Sequence, residues 1–221
     1  MSPRESKKRR RERALIVSRH LAAEYPDVTC ALTHQDPFEL LVATVLSAQC
    51  TDKKVNEVTP ELFARWPSPE LMSEADGTLE EVVHPTGFFR QKAKNLRGLS
   101  RRLVERHAGV VPQTMDELTA LPGVARKTAN VVLGTAFGIA VGVVVDTHVK
   151  RITYKRLKLV SREDPVHVER ELMELVPPEE WTHYSHRMIW HGRLVCDARR
   201  PACDRCVMTE VCPSAFKTDD N

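Results

Sequence analysis

Apolar positions recur along this chain at helical rather than strand spacing. Phe89, Ala93, Leu96, Leu99 and Leu103 form one stripe, which predicts an amphipathic helix with the intervening basic residues on its other face. Asp36-Pro37-Phe38-Glu39 sets a capping carboxylate, a first-turn proline and an acid ahead of an apolar run reaching about Ala48. Thr78-Leu79-Glu80-Glu81 and Thr114-Met115-Asp116-Glu117 have the order of capping boxes. Asp164-Pro165 opens a helix carrying Val168, Leu172, Leu175 and Val176, and Pro177-Pro178 stops it. A further helix is expected from about Glu179 to Val195. Only Val141–Val145 has strand character, and so short a run serves equally well as a buried connector. With proline and glycine falling about every 10–20 residues, the chain is predicted to be all-α, with about ten helices.

Composition changes this picture little. At 221 residues, 42% hydrophobic and 29% charged, the chain suits an ordinary globular protein with a real core. No apolar run approaches the roughly 20 residues of a membrane helix. No apolar signal core follows the basic start Lys7-Lys8-Arg9-Arg10-Arg11, so a cytoplasmic location without membrane association is expected. That basic start is expected to be disordered, with weak attraction to phosphates as its inferable role.

A net charge of +3 does not establish nucleic-acid binding. The clusters at 90–106 and 150–158 are more suggestive, though each reads equally well as a solvated helix face. Cys30 and Cys50 stand alone and are expected to behave as small buried hydrophobes.

Three segments carry candidate chemistry. In Leu121-Pro122-Gly123-Val124-Ala125-Arg126-Lys127-Thr128-Ala129-Asn130, a helix-stopping hairpin opens into a new helix with Arg126 and Lys127 on its first turn. Free backbone N–H groups and the positive end of the helix dipole make such a turn a phosphate site, and Lys127 a candidate catalytic amine. Asp146, in Val145-Asp146-Thr147-His148, follows Lys127 by 19 residues. It suits an N-cap, and a capping carboxylate can still face a cleft. Cys196, Cys203, Cys206 and Cys212 have the spacing Cys-x6-Cys-x2-Cys-x5-Cys, which points to a metal centre. Zinc and a [4Fe–4S] cluster both accept four cysteines; a single Cys-x2-Cys pair favours the cluster. Arg199 and Arg200, between the first two cysteines, either meet phosphates or merely solvate the loop.

These three segments, in this order and spacing, resemble the endonuclease III family of iron–sulfur DNA glycosylase/AP lyases, within the helix-hairpin-helix Gly/Pro-Asp superfamily. The likeness extends through Phe38-Glu39-Leu40-Leu41 and Leu46-Ser47-Ala48-Gln49 and covers nearly the whole chain. The resemblance implies a six-helix barrel from about Cys30 to Ile139. It implies an iron–sulfur domain made of residues 1–29 and 140–221, with a [4Fe–4S] cluster on Cys196, Cys203, Cys206 and Cys212. It implies that Lys127 is the Schiff-base nucleophile and Asp146 the essential carboxylate. Gly123, Ala125 and Arg126 would belong to the DNA-binding hairpin, and Arg199 and Arg200 would meet the backbone. Gln49 matches the position that fills the gap left by a flipped base, and Phe88 the position that wedges the opposite strand.

The implied activity is excision of oxidised pyrimidines from duplex DNA followed by β-elimination. The implied partner is double-stranded DNA with a damaged base or abasic site, met by a monomer and associated with the nucleoid. Two departures stand out. Ala125 replaces a second hairpin glycine, which would cost about 1 kcal/mol if the position required positive φ. The Lys127–Asp146 spacing is about one residue longer than the family pattern, an insertion expected within Ala140–Val144. A monofunctional glycosylase would lack Lys127, and a cluster-bearing electron carrier would have no use for the Lys127/Asp146 pair.

Overall fold

The computed structural model describes residues 5–217, and among these the secondary structure is entirely helical. The α-helices are α1 (Lys7–Glu24), α2 (Pro37–Leu46), α3 (Asp52–Arg65), α4 (Pro69–Ser73), α5 (Thr78–Val83) and α6 (Phe89–His107). They continue with α7 (Met115–Thr119), α8 (Arg126–Ala136), α9 (Thr147–Arg151), α10 (Pro165–Leu175) and α11 (Trp181–Leu194). No described helix is long and apolar enough to cross a membrane. The chain forms two compact units. One is Cys30–Ile139; the other joins the chain up to Thr29 with the chain from Ala140 onward.

In the Cys30–Ile139 unit, α2 is buried on all sides from Leu40 to Leu46, as expected of a helix apolar all round. Asp36 caps it, accepting from the Glu39 N–H at 2.8 Å. It packs on α3, α6 and α8. The stripe on α6 buries Ala93, Leu96, Leu99 and Leu103 against this core. Thr114 caps α7 by accepting from the Glu117 N–H. Thr78 does not cap α5. It is the first helical residue, and its N–H and hydroxyl both donate to Asp76, because Gly77 at the cap position has no side chain to offer.

The other unit has its own core, in which Ala14, Val17 and Leu21 of α1 meet Val149, Ile152, Leu172, Tyr184 and Met188. The basic N-terminal start is therefore not disordered from Lys7 onward. Ser6 caps α1, Arg13 pairs with Glu5, and the buried side of the helix is held by the core. Residues 1–4 lie outside the described residues. Val141–Val145 is a connector: Val143 and Val144 are buried, and the Val144 N–H donates to the Ser185 hydroxyl.

Candidate functional site

The hairpin is built by short local bonds and seated on α6. Leu121 N–H donates to Leu118, and Val124 N–H to Leu121. Gly123 has φ +78°, and a Cβ there would come within 2.6–2.9 Å of the Asn95 side chain. Both facts require glycine. Gly98 admits Pro122, and the Arg102 guanidinium donates to the Ala120 carbonyl. Ala125 is the cap residue of α8 with φ −89°, in extended backbone. The feared positive φ does not exist, so alanine is unstrained there. No side chain caps α8, and its first turn therefore presents N–H groups and the positive end of the dipole. Arg126 and Lys127 are exposed on that turn.

Gln49 and Phe88 share an unusual backbone. Both are exposed, and both are left-handed, with φ +54° and +47°. For residues with a Cβ this conformation costs about 1–2 kcal/mol. Phe88 is 66% exposed, a large aromatic surface left in solvent. Behind them Lys92 is buried, its Nζ donating to the Leu46 and Thr86 carbonyls. Burial lowers its pKa, against the pull of Cys50. The 90–106 basic cluster is thus not simply a solvated face, since Arg97 also donates to the carbonyls of Ala75 and Asp76. Lys92 was readable in principle: it lies three residues after Phe89 and four before Leu96, on the apolar stripe itself.

In the second unit, Asp146 caps α9, its Oδ1 accepting from the Val149 N–H at 2.8 Å. The carboxylate is half-buried and has a second oxygen for other work. Burial holds the neighbouring His148 below the usual histidine range, opposed by the Asp146 charge. α9 approaches α11 at Gly192, where a Cβ would meet His148 at 2.7 Å. The segment Ala140–Val144, where an extra residue was expected, lies in the connector that precedes this turn.

Cys196, Cys203, Cys206 and Cys212 line one small pocket, together with Ile152, Arg156 and Met208. Burial pushes the Cys196 thiol up to about 11 and raises Cys206 and Cys212. A bound cation is what would draw such thiols into the thiolate form. Among the described residues no three His, Cys, Asp or Glu side chains converge as a single-ion site. The donor set, four soft thiols around one cavity, suits a multinuclear cluster. His191, wholly buried, lies between the Tyr25 hydroxyl at 3.1 Å and the Cys206 sulfur at 3.4 Å.

The loop backbone hangs on arginines that the sequence did not single out for this role. Arg151 donates to the Gly192 and Cys196 carbonyls, Arg156 to Ala198, and Arg13 to Leu157 and Val211. The 150–158 basic cluster is therefore largely structural, with Arg156 4% exposed and Lys150 paired with Glu163. Arg156 follows Ile152 and Thr153 at helical spacing, the signal that placed it inside. Arg199 and Arg200 remain exposed, and their N–H groups both donate to Asp197 Oδ1. Those two bonds hold the Asp197 carboxyl below its ordinary range.

The structure thus groups Gly123, Ala125, Arg126 and Lys127 in one hairpin, with Gln49 and Phe88 in the same unit. It groups Asp146, the four cysteines and the two loop arginines in the other. Residues 42–178 match the model of the HhH-GPD superfamily base excision DNA repair proteins. The chain is 53% identical over 211 residues to the endonuclease III of Synechocystis sp., covering 95% of this chain and 94% of that protein. A solved non-covalent endonuclease III–DNA complex aligns with TM-score 0.87 and 42% identity, over 96% of this chain and 97% of that one. A trapped endonuclease III–DNA covalent intermediate aligns with TM-score 0.87 and 41% identity, over 96% and 98%.

Proposed function

The chain belongs to the HhH-GPD superfamily of base excision DNA repair proteins, and from that membership we propose that Lys127 and Asp146 carry its chemistry. The protein is a bifunctional DNA glycosylase/AP lyase of base excision repair. Its partner is duplex DNA containing a damaged base or an abasic site. Oxidised pyrimidines are the substrate class we assign. The observation that carries the assignment of roles is the hairpin: an uncapped helix N-terminus at Ala125 with Lys127 exposed on its first turn. Phosphates held there by backbone N–H groups and Arg126 bring a deoxyribose within reach of the amine.

The damaged base leaves the stack at a cost of a few kcal/mol, less where damage has weakened pairing. As the base departs with the bonding electrons, positive charge develops on the sugar, and the Asp146 carboxylate stabilises it. The neutral Lys127 amine bonds to C1′, the ring C1′–O4′ bond breaks, and proton transfers leave an iminium. The iminium acidifies C2′; loss of a C2′ proton expels the 3′ phosphate and cuts the strand. Water then releases the lysine.

Cys196, Cys203, Cys206 and Cys212 hold a [4Fe–4S] cluster in this reading, supported by the shared cavity and the soft donor set. A bound cluster would cross-link the loop through these four side chains, and Arg199 and Arg200, in the turn between the first two of them, would be the residues that meet the DNA backbone. Cys30–Ile139, which holds the seven α-helices α2 to α8 rather than six, is then the barrel domain, and the remainder the cluster domain.

Borohydride reduction tests the lysine assignment. Wild-type protein is expected to give a covalent adduct with abasic duplex DNA. Lys127→Ala is expected to lose the adduct and on the order of 10³-fold or more in strand cleavage. Retention of cleavage by Lys127→Ala would refute the assignment. Metal analysis should find iron and acid-labile sulfide; stoichiometric zinc without iron would remove the cluster.

A further inference from the structure

Lys92 is 4% exposed on the first turns of α6, inside a stripe otherwise apolar. A buried ammonium is costly unless its donors are satisfied, and an aliphatic side chain would fill the same stripe without that cost. Its Nζ donates to Leu46 at 2.8 Å and to Thr86 at 2.7 Å. Leu46 is the last residue of α2, so the bond falls on an orphan carbonyl at the negative end of that helix. Thr86 is the last residue of the short 3₁₀ turn His84–Thr86, itself anchored by its hydroxyl to Val83. Three residues beyond Leu46 lies Gln49, and two beyond Thr86 lies Phe88. Those are two exposed residues in the left-handed backbone. The ammonium thus joins the roots of both loops, one bond to each.

We propose that Lys92 is a positioning residue that clamps the Gln49 and Phe88 loops together, fixing the pair that enters the opened duplex. The inference rests on the reading of Gln49 and Phe88 as the residues that fill and wedge the DNA. Two loops tied at their roots lose little further freedom when they insert, so the open duplex is held without a new ordering cost. Lysine suits the task because its compact ammonium has three donors and reaches two carbonyls at once.

The test uses the full-length protein and a duplex carrying one oxidised pyrimidine, with 2-aminopurine in the strand opposite the lesion. Lys92→Met is expected to lower duplex excision on the order of tenfold to a hundredfold. The loss should appear mainly in the half-saturating enzyme concentration, with a weakened 2-aminopurine signal on binding. Cleavage of a single-stranded abasic oligonucleotide, which has no gap to fill, should fall much less. In a Gln49→Ala/Phe88→Ala background, Lys92→Met should add no further loss.

Equal losses on duplex and single strand would overturn the clamp, as would a full additional loss in the double-variant background. If Gln49→Ala and Phe88→Ala leave duplex excision and the fluorescence signal intact, the reading of those two residues fails first, and the clamp with it. Should Lys92→Met not fold, Lys92→Arg carries the same comparison. It keeps the charge but replaces the compact ammonium with a planar fork.

Discussion

The hairpin and the cysteine loop each present two neighbouring basic residues from a turn, Arg126 with Lys127 and Arg199 with Arg200, yet they are anchored by different means. The hairpin is a contiguous segment whose turns are closed by bonds of three residues' reach and which rests on α6, while its helix α8 packs on α2 and α7. The cysteine loop also closes short local turns, among them Cys206 N–H to Cys203 and Cys212 N–H to Thr209, but those turns are tied to the rest of the unit by long-range bonds. It hangs from Arg13 in α1, Arg151 in α9 and Arg156 in the π turn Ile152–Arg156. The turns of both can be read along the chain; the anchoring of the second exists only once distant segments have met. Damage to the hairpin should therefore stay local, whereas one arginine should undo the loop.

The largest effect is expected from Arg151→Leu. Charge-assisted bonds to the Gly192 and Cys196 carbonyls are lost, a destabilisation of about 3 kcal/mol. Iron content should fall with it, measured as denaturation midpoint and iron per chain. A variant with full iron and wild-type stability would break the comparison.

Gly123→Ala should cost about 2 kcal/mol, from the positive φ and the clash with Asn95. DNA affinity should drop while iron stays at the wild-type level, which sharpens the contrast with Arg151→Leu. Loss of iron in this variant would show that the two regions are not independently built.

The smallest effect belongs to Ala125→Gly. With φ −89° at the cap, the N-cap preference for glycine over alanine and glycine's greater loss of backbone entropy oppose each other, leaving a net change below about 1 kcal/mol. DNA affinity and its salt dependence should match the wild type. A marked gain in affinity would show that this hairpin needs the second glycine after all.

Much of the fold was legible because its signals are local. Asp36 and Thr114 cap where they stand, and the α6 stripe is buried as its spacing requires. Thr78 shows the limit, since Asp76 captures the role that the Thr-x-x-Glu order suggested. The basic clusters show it more strongly. Lysine and arginine are read as surface residues by charge alone, but Lys92, Arg151 and Arg156 spend their donors on carbonyls in buried or half-buried surroundings. The N-terminal run Lys7–Arg11 looked like a tail because its apolar residues, from Ala14 onward, come only after it.

The sequence by itself determined the helical class, the hairpin with Lys127 on its first turn, the cap at Asp146 and the four-cysteine spacing. Each depends on residues within a few positions of one another, where propensity, capping and spacing act directly. Tertiary structure alone decided that Ala125 is extended and that Gln49 and Phe88 are left-handed. It also decided that four thiols share a cavity and that buried cations tie the loops. Those outcomes depend on which carbonyls and which apolar surfaces remain unsatisfied after the chain has folded, and no local pattern records them.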